Sequence, residues 1–128
     1  MASQARAPKD QPTVLVVEDE VIIALDLSET VRDMGYRVEG PYANNSHAMI
    51  AIDQELPDFA ILDVMTADGE VFPLADALTD AGVPIIFHSG HFTSREIAER
   101  YPDAQAAEKP CPPSELIAMM SKAKNKAH

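Results

Sequence analysis

From Thr13 onward, short β-branched and aliphatic runs alternate with stretches of helical periodicity, and that alternation constrains the chain more than any other feature. The strand candidates are residues 13–17, 37–40, 59–62, 84–88 and 104–108. The first, third and fourth are nearly continuous apolar runs, as expected for parallel strands covered on both faces. The last, Ala-Gln-Ala-Ala-Glu, has poor strand propensity and is placed by its context. Between them lie five helical stretches. Residues 21–34 carry Val21, Leu25, Ser28 and Val31-Arg32 at helical spacing, with Gly35 as the stop. Asn44-Asn45-Ser46 offers capping groups for a helix to about Gln54. A third helix covers about 71–81 and ends at Gly82. Thr93-Ser94-Arg95-Glu96 reads as a capping box for a helix ending near Tyr101, before Pro102. Pro112-Pro113 opens the last, from 114 to about 124.

Alternating strands and helices imply right-handed crossovers and a doubly wound α/β sheet. Ligands bind such sheets at the carboxyl ends of the strands, near a switch point in strand order. Glu18, Asp19, Asp63, Ser89 and Lys109 all fall at those ends. Carboxylates gathered there repel one another unless a cation neutralises them. Mg²⁺ suits the task, because it takes oxygen ligands and keeps several waters. A lysine adds a mobile positive charge for a phosphoryl oxygen, and a serine hydroxyl adds a donor. A carboxylate nucleophile, Mg²⁺, lysine and hydroxyl are the parts for phosphoryl transfer onto an aspartate.

Composition narrows the alternatives. At 128 residues the chain suits one domain: a core spanning 13–124, a polar lead-in at 1–12 expected to be disordered, and a short tail at 125–128. A formal charge of −11 disfavours nucleic acid and anionic membrane as partners, although solubility explains it equally well. No apolar run approaches the roughly 18 residues of a membrane span, and no signal peptide is visible, so a cytoplasmic location is expected. The single cysteine, Cys111, excludes an internal disulfide and reads as a packing residue.

Four segments resemble the receiver domain of two-component response regulators. They are Val14-Leu15-Val16-Val17-Glu18-Asp19-Glu20, Ile61-Leu62-Asp63-Val64, Pro84-Ile85-Ile86-Phe87-His88-Ser89-Gly90 and Glu108-Lys109-Pro110. The resemblance implies a flavodoxin-like five-stranded sheet in the order 2-1-3-4-5. It also implies Asp63 as phosphoacceptor from a phosphohistidine on a sensor histidine kinase or histidine phosphotransfer protein. Asp19 and Asp63 would ligate Mg²⁺, with Glu18 direct or through water and the Met65 backbone carbonyl completing the set. Ser89 and Lys109 would each contact a phosphoryl oxygen, and the Lys109-Pro110 bond would be cis. The segment from Asp68 to Leu78 and the strand that follows are similar to stand-alone alphaproteobacterial receivers whose fourth strand reads Pro-Phe-x-Phe-Ala-Thr-Gly. Ile85 and His88 depart from that motif.

The resemblance further implies output by protein contact, through the fourth helix, fifth strand and fifth helix, or a role as phosphate sink, in a monomer or weak dimer. The usual aromatic switch position holds Ala106, so a backbone shift after Ser89, or Phe92 or Tyr101, must serve instead. The small last strand is expected to leave a cleft between the last two helices. Met65 puts an apolar group where many receivers place a polar one near the attacking water, which implies slow hydrolysis. Asp68 reads as a turn residue with Gly69, Glu20 as solvated, and His91 ranks above His88 for influence on the site. Two rivals remain: a pseudo-receiver that binds protein without phosphate, and a small Mg²⁺-dependent phosphohydrolase. The latter would need an acid where Met65 stands.

Overall fold

The computed structural model of the chain describes residues 11–90, 94–109 and 111–127. The elements, in order, are β1 (Thr13–Val17), α1 (Val21–Asp33), β2 (Arg37–Tyr42), α2 (Asn45–Gln54), β3 (Phe59–Asp63), β4 (Met65–Thr66), β5 (Gly69–Glu70), α3 (Phe72–Asp80), β6 (Ile85–Ser89), α4 (Ser94–Arg100), β7 (Gln105–Glu108) and α5 (Pro113–Ala127). Five strands form one sheet, β2-β1-β3-β6-β7, and every pairing in it is parallel. This is the flavodoxin-like order 2-1-3-4-5 once the small β4–β5 hairpin is set aside.

Alternation along the strands feeds two cores. Leu15, Val17, Ala60, Leu62, Ile85 and Phe87 pack against α2, α3 and α4. Val14, Val16, Phe59, Ile61 and Ile86 pack against α1 and α5. Each fully buried aliphatic side chain such as Leu62 contributes roughly 1.5–3 kcal/mol. Strands covered on both faces need apolar residues at every position, which is why β1 and β3 read so plainly. The chain runs from β1 to one neighbour, β2, and then returns to the other, β3. That reversal opens a crevice at the carboxyl ends of β1 and β3.

The inner face of α1 differs from the face that helical spacing suggested. Val21 and Leu25 are 69% and 57% exposed, whereas Ala24, Leu27, Ser28 and Val31 are buried. The helix carries two apolar stripes, and the approach from β1 decides which one meets the sheet. The Ser28 hydroxyl is satisfied by donating to the Ala24 carbonyl at 2.8 Å. Gly35 ends the helix as expected, at φ +94°, a conformation open to glycine.

The other boundaries move by small amounts. β2 continues through a cis Gly40-Pro41 bond to Tyr42, and α5 runs on to Ala127. At Gly40 the φ is +103°, and a Cβ would meet the Val16 carbonyl at 2.9 Å, so only glycine fits. The expected capping role of Thr93, the rings of His91 and Phe92, and the Lys109-Pro110 bond lie outside the described residues. Among the described residues, no helix is long and apolar enough to cross a membrane.

Candidate functional site

Because the strands are parallel, their carboxyl ends share one edge of the sheet. Asp63 is the last residue of β3 and Ser89 the last of β6; Glu18 and Asp19 follow β1, and Lys109 follows β7. Glu18, Asp63 and Ser89 are buried at 2%, 5% and 3% exposure. The Lys109 backbone N–H donates to the Ser89 carbonyl at 2.9 Å, which extends the β6–β7 ladder and fixes the root of the side chain. From there Lys109 Nζ reaches Asp63 Oδ2 at 3.1 Å, Glu18 Oε1 at 3.0 Å and Glu20 Oε1 at 3.1 Å. One ammonium thus serves three carboxylates. Glu20 stays exposed as expected, with its side chain 61% accessible, and still reaches the ammonium as the outermost of them.

The charges are unequal in consequence. Burial pushes Asp63 up to about 6, the Glu18 charge adds to the rise, and Lys109 pulls back against it. Burial also opposes ionisation of Glu18. The His88 imidazole, the Lys109 ammonium and the Glu20 backbone N–H outweigh that burial and bring Glu18 down to about 2. His88 Nδ1 acts from 3.7 Å, beyond hydrogen-bond length, as a nearby polar group rather than through a formed bond. Burial works to lower Lys109 too, but Glu18 and Asp63 hold it above the ordinary lysine range. At neutral pH a carboxylate at about 6 is mostly ionised.

Glu18, Asp19 and Asp63 each present a carboxylate oxygen within 4.8 Å of the others. An all-oxygen donor set of this size fits a hard divalent cation such as Mg²⁺. The loop after Asp63 is held close: the Met65 N–H donates to Asp63 Oδ1 at 3.3 Å, and the Val71 N–H to the Val64 carbonyl at 2.9 Å.

Asp68 does more than turn the chain. Its carboxylate accepts from the Asn45 N–H (2.8 Å), the Ser46 N–H (3.0 Å), the Ser46 hydroxyl (2.7 Å) and the Thr66 hydroxyl (3.0 Å). The Asn45 side chain answers by donating to the Gly69 and Glu70 carbonyls, each at 3.2 Å. The β4–β5 hairpin is therefore clamped to the N-terminus of α2, beside the Asn44 cap that accepts from the His47 N–H at 2.9 Å. These donors hold Asp68 well below the usual carboxylate range. Nothing in the local sequence pairs Asp68 with residues so far upstream.

At the aromatic switch position, Ala106 lies beside Phe87 in register. The ring that packs on Phe87 comes instead from Tyr101, at 5.1 Å between centroids. Its hydroxyl donates to Asp76 Oδ1 at 2.6 Å, which ties the end of α4 to α3. A cavity of about 460 Å³ does lie beside the small last strand, but it opens between α3 and α4 rather than between the last two helices, bordered by Thr79, Pro84, Arg100, Tyr101 and Gln105. It lies at the amino ends of β6 and β7, away from the acids.

Comparisons with known proteins point the same way. No family model matches the chain. It is 31% identical over 113 residues to the phyllosphere-induced regulator PhyR of Methylorubrum extorquens, covering 86% of this chain and 42% of that protein. Among solved structures, it is similar to the receiver domain of the Erythrobacter litoralis PhyR response regulator. The TM-score there is 0.79 at 28% identity, covering 90% of this chain and 91% of that one. A response regulator receiver protein from Sinorhizobium medicae gives 0.83 at 25% identity, covering 94% and 99%. The structural neighbours are thus receiver domains of response regulators. The chain spans less than half the length of the curated relatives it matches.

Proposed function

We propose that the chain is a receiver module that takes a phosphoryl group on Asp63 from a phosphohistidine, and passes the signal on by protein contact or drains phosphate from its kinase. The observation that carries this reading is the Asp63 carboxylate itself. It is buried at a strand end, 3.1 Å from Lys109 Nζ and within reach of two further acids.

An Asp63 oxygen attacks phosphorus in line. The P–N bond to the donor imidazole breaks, its electron pair returns to the ring nitrogen, and an acyl phosphate forms on Asp63. Most of the catalysis is positioning and charge neutralisation. A divalent cation held by Glu18, Asp19, Asp63 and the Met65 carbonyl would offset charge on the transferring group. Lys109 is already placed to release its acids and grip a phosphoryl oxygen, and Ser89 is one strand away to donate to another. The apolar Met65 side chain leaves the attacking water without a polar partner, which favours a lasting acyl phosphate. The chain is itself the acceptor, and the phosphohistidine is the donor.

With Ala106 in place of the aromatic switch, the signal would leave through α4, which the Tyr101–Asp76 bond ties to α3. Phosphorylation shifts a balance between conformers that already exist. Labelling with acetyl phosphate or phosphoramidate in the presence of Mg²⁺ tests the reading. Wild type is expected to take up one phosphoryl group and Asp63→Asn none. Equal labelling of the two, or steady hydrolysis of phosphate monoesters, would contradict it.

A further inference from the structure

His88 is a buried polar residue that the scheme above leaves unused. It is 4% exposed, and neither ring nitrogen has a hydrogen-bond partner among the described residues. Buried polar groups are nearly always paired, so an unpaired one calls for a reason. His88 stands beside Asp63 in the β3–β6 register, and alternation directs its side chain to the α1 and α5 face with Ile86. On its other side, in register on β7, is the small Ala107. His88 Nδ1 comes within 3.7 Å of Glu18 Oε1. That oxygen is also without a well-directed hydrogen bond, although Lys109 Nζ lies 3.0 Å from it. An imidazole with no hydrogen-bond partner therefore faces a carboxylate oxygen held through the Lys109 ion pair, less than 1 Å beyond bonding distance.

Lys109 cannot serve every acceptor at once. When it turns toward a phosphoryl oxygen, Glu18 loses its main partner while still facing the cation. We infer that His88 is a positioning residue, whose Nδ1–H orients the Glu18 carboxylate toward the divalent cation and keeps it oriented after Lys109 has moved. In a neutral imidazole one ring nitrogen is a donor and the other an acceptor, and the carboxylate selects Nδ1 as the donor. Carboxylates that bind metals are themselves held by outer hydrogen bonds, and losing such a partner costs roughly 10–100-fold in metal affinity. The inference rests on the phosphoacceptor reading, so its test must separate the two.

Mn²⁺ binding to the full chain, followed by electron paramagnetic resonance of the free ion, needs no phosphorylation. His88→Leu is expected to weaken binding roughly 10–100-fold. His88→Asn, whose amide nitrogen falls at the place of Nδ1, is expected to bind within a few-fold of wild type. His88→Gln, whose amide falls nearer Nε2, should bind as weakly as His88→Leu. Unchanged affinity in His88→Leu overturns the inference, and so does His88→Asn binding no better than His88→Gln. If His88→Leu fails to fold, the Asn and Gln variants decide between them. A wild-type chain that binds no Mn²⁺ would instead remove the metal site, and with it the reading on which the inference stands.

Discussion

Asp63 and Asp68 share one loop, and their surroundings send them in opposite directions. Asp63 is buried beside Glu18, with one shared ammonium for compensation, and is pushed up to about 6. Asp68 is exposed, yet four donors from three residues converge on it and hold it below the usual range. Burial with a like charge keeps a carboxylate reactive and costs stability; a full set of donors makes a carboxylate structural and inert. The two regions therefore divide the work. In the proposed reading the strand end holds charge ready for chemistry, and the hairpin clamp keeps the loop that bears it in place.

The harshest way to disturb that contrast is to remove the shared cation. Lys109→Met leaves Glu18 and Asp63 buried without compensation, and breaking a largely buried pair from one side costs about 3 kcal/mol. The loss should be greatest at alkaline pH and shrink as pH falls toward about 6, because without Lys109 the Asp63 carboxylate takes up its proton above that value. Chemical denaturation at several pH values reads this directly, and a pH-independent loss would contradict it.

Asp63→Asn probes the same end with the opposite sign. The folded-state value of Asp63 is raised from 3.8 to about 6, so the folded chain holds this proton more tightly than the unfolded one. Its stabilising contribution is present below the unfolded value and is lost as pH rises through about 6. Replacing it should therefore stabilise the protein at pH 7–8 by roughly 1–3 kcal/mol, at about 1.4 kcal/mol per pKa unit. The gain should vanish below about pH 4.

At the hairpin, Asp68→Ala is expected to lower the melting temperature modestly. It should also speed amide exchange at Asn45 and Ser46, the two N–H groups it unpairs. The sign with pH is reversed here. A lowered value means a contribution present above the usual aspartate range and lost as pH falls below it. Matching pH profiles for the Asp63 and Asp68 variants would erase the comparison.

Much of this was legible in the sequence, for reasons that differ by residue. β1 and β3 announce themselves because burial on both faces forces every position to be apolar, and the strand ends then place Glu18, Asp19, Asp63, Ser89 and Lys109 along one edge. The partners across that edge were hidden. Lys109 meets Glu18 over a separation of 91 residues, and Asp68 meets Asn45 over 23, distances at which no local pattern operates. The inner stripe of α1 was ambiguous for a related reason, since its periodicity allows two faces and the sheet chooses. The β4–β5 hairpin is two residues on each side, too short to alternate visibly. His88 looked like an ordinary strand-end histidine, and only its position behind Glu18 gives it a role.

The central claim is that Asp63, alone among the acids at this edge, becomes the acyl phosphate. Borohydride reduces an aspartyl phosphate to homoserine, so labelling followed by reduction and peptide mass spectrometry finds the acceptor without relying on a mutant. The account predicts homoserine at position 63 and unaltered side chains at Glu18, Asp19 and Asp68. Reduction products at any of those three, or a chain that takes no label while Mg²⁺ and a phosphoryl donor are both present, would contradict it.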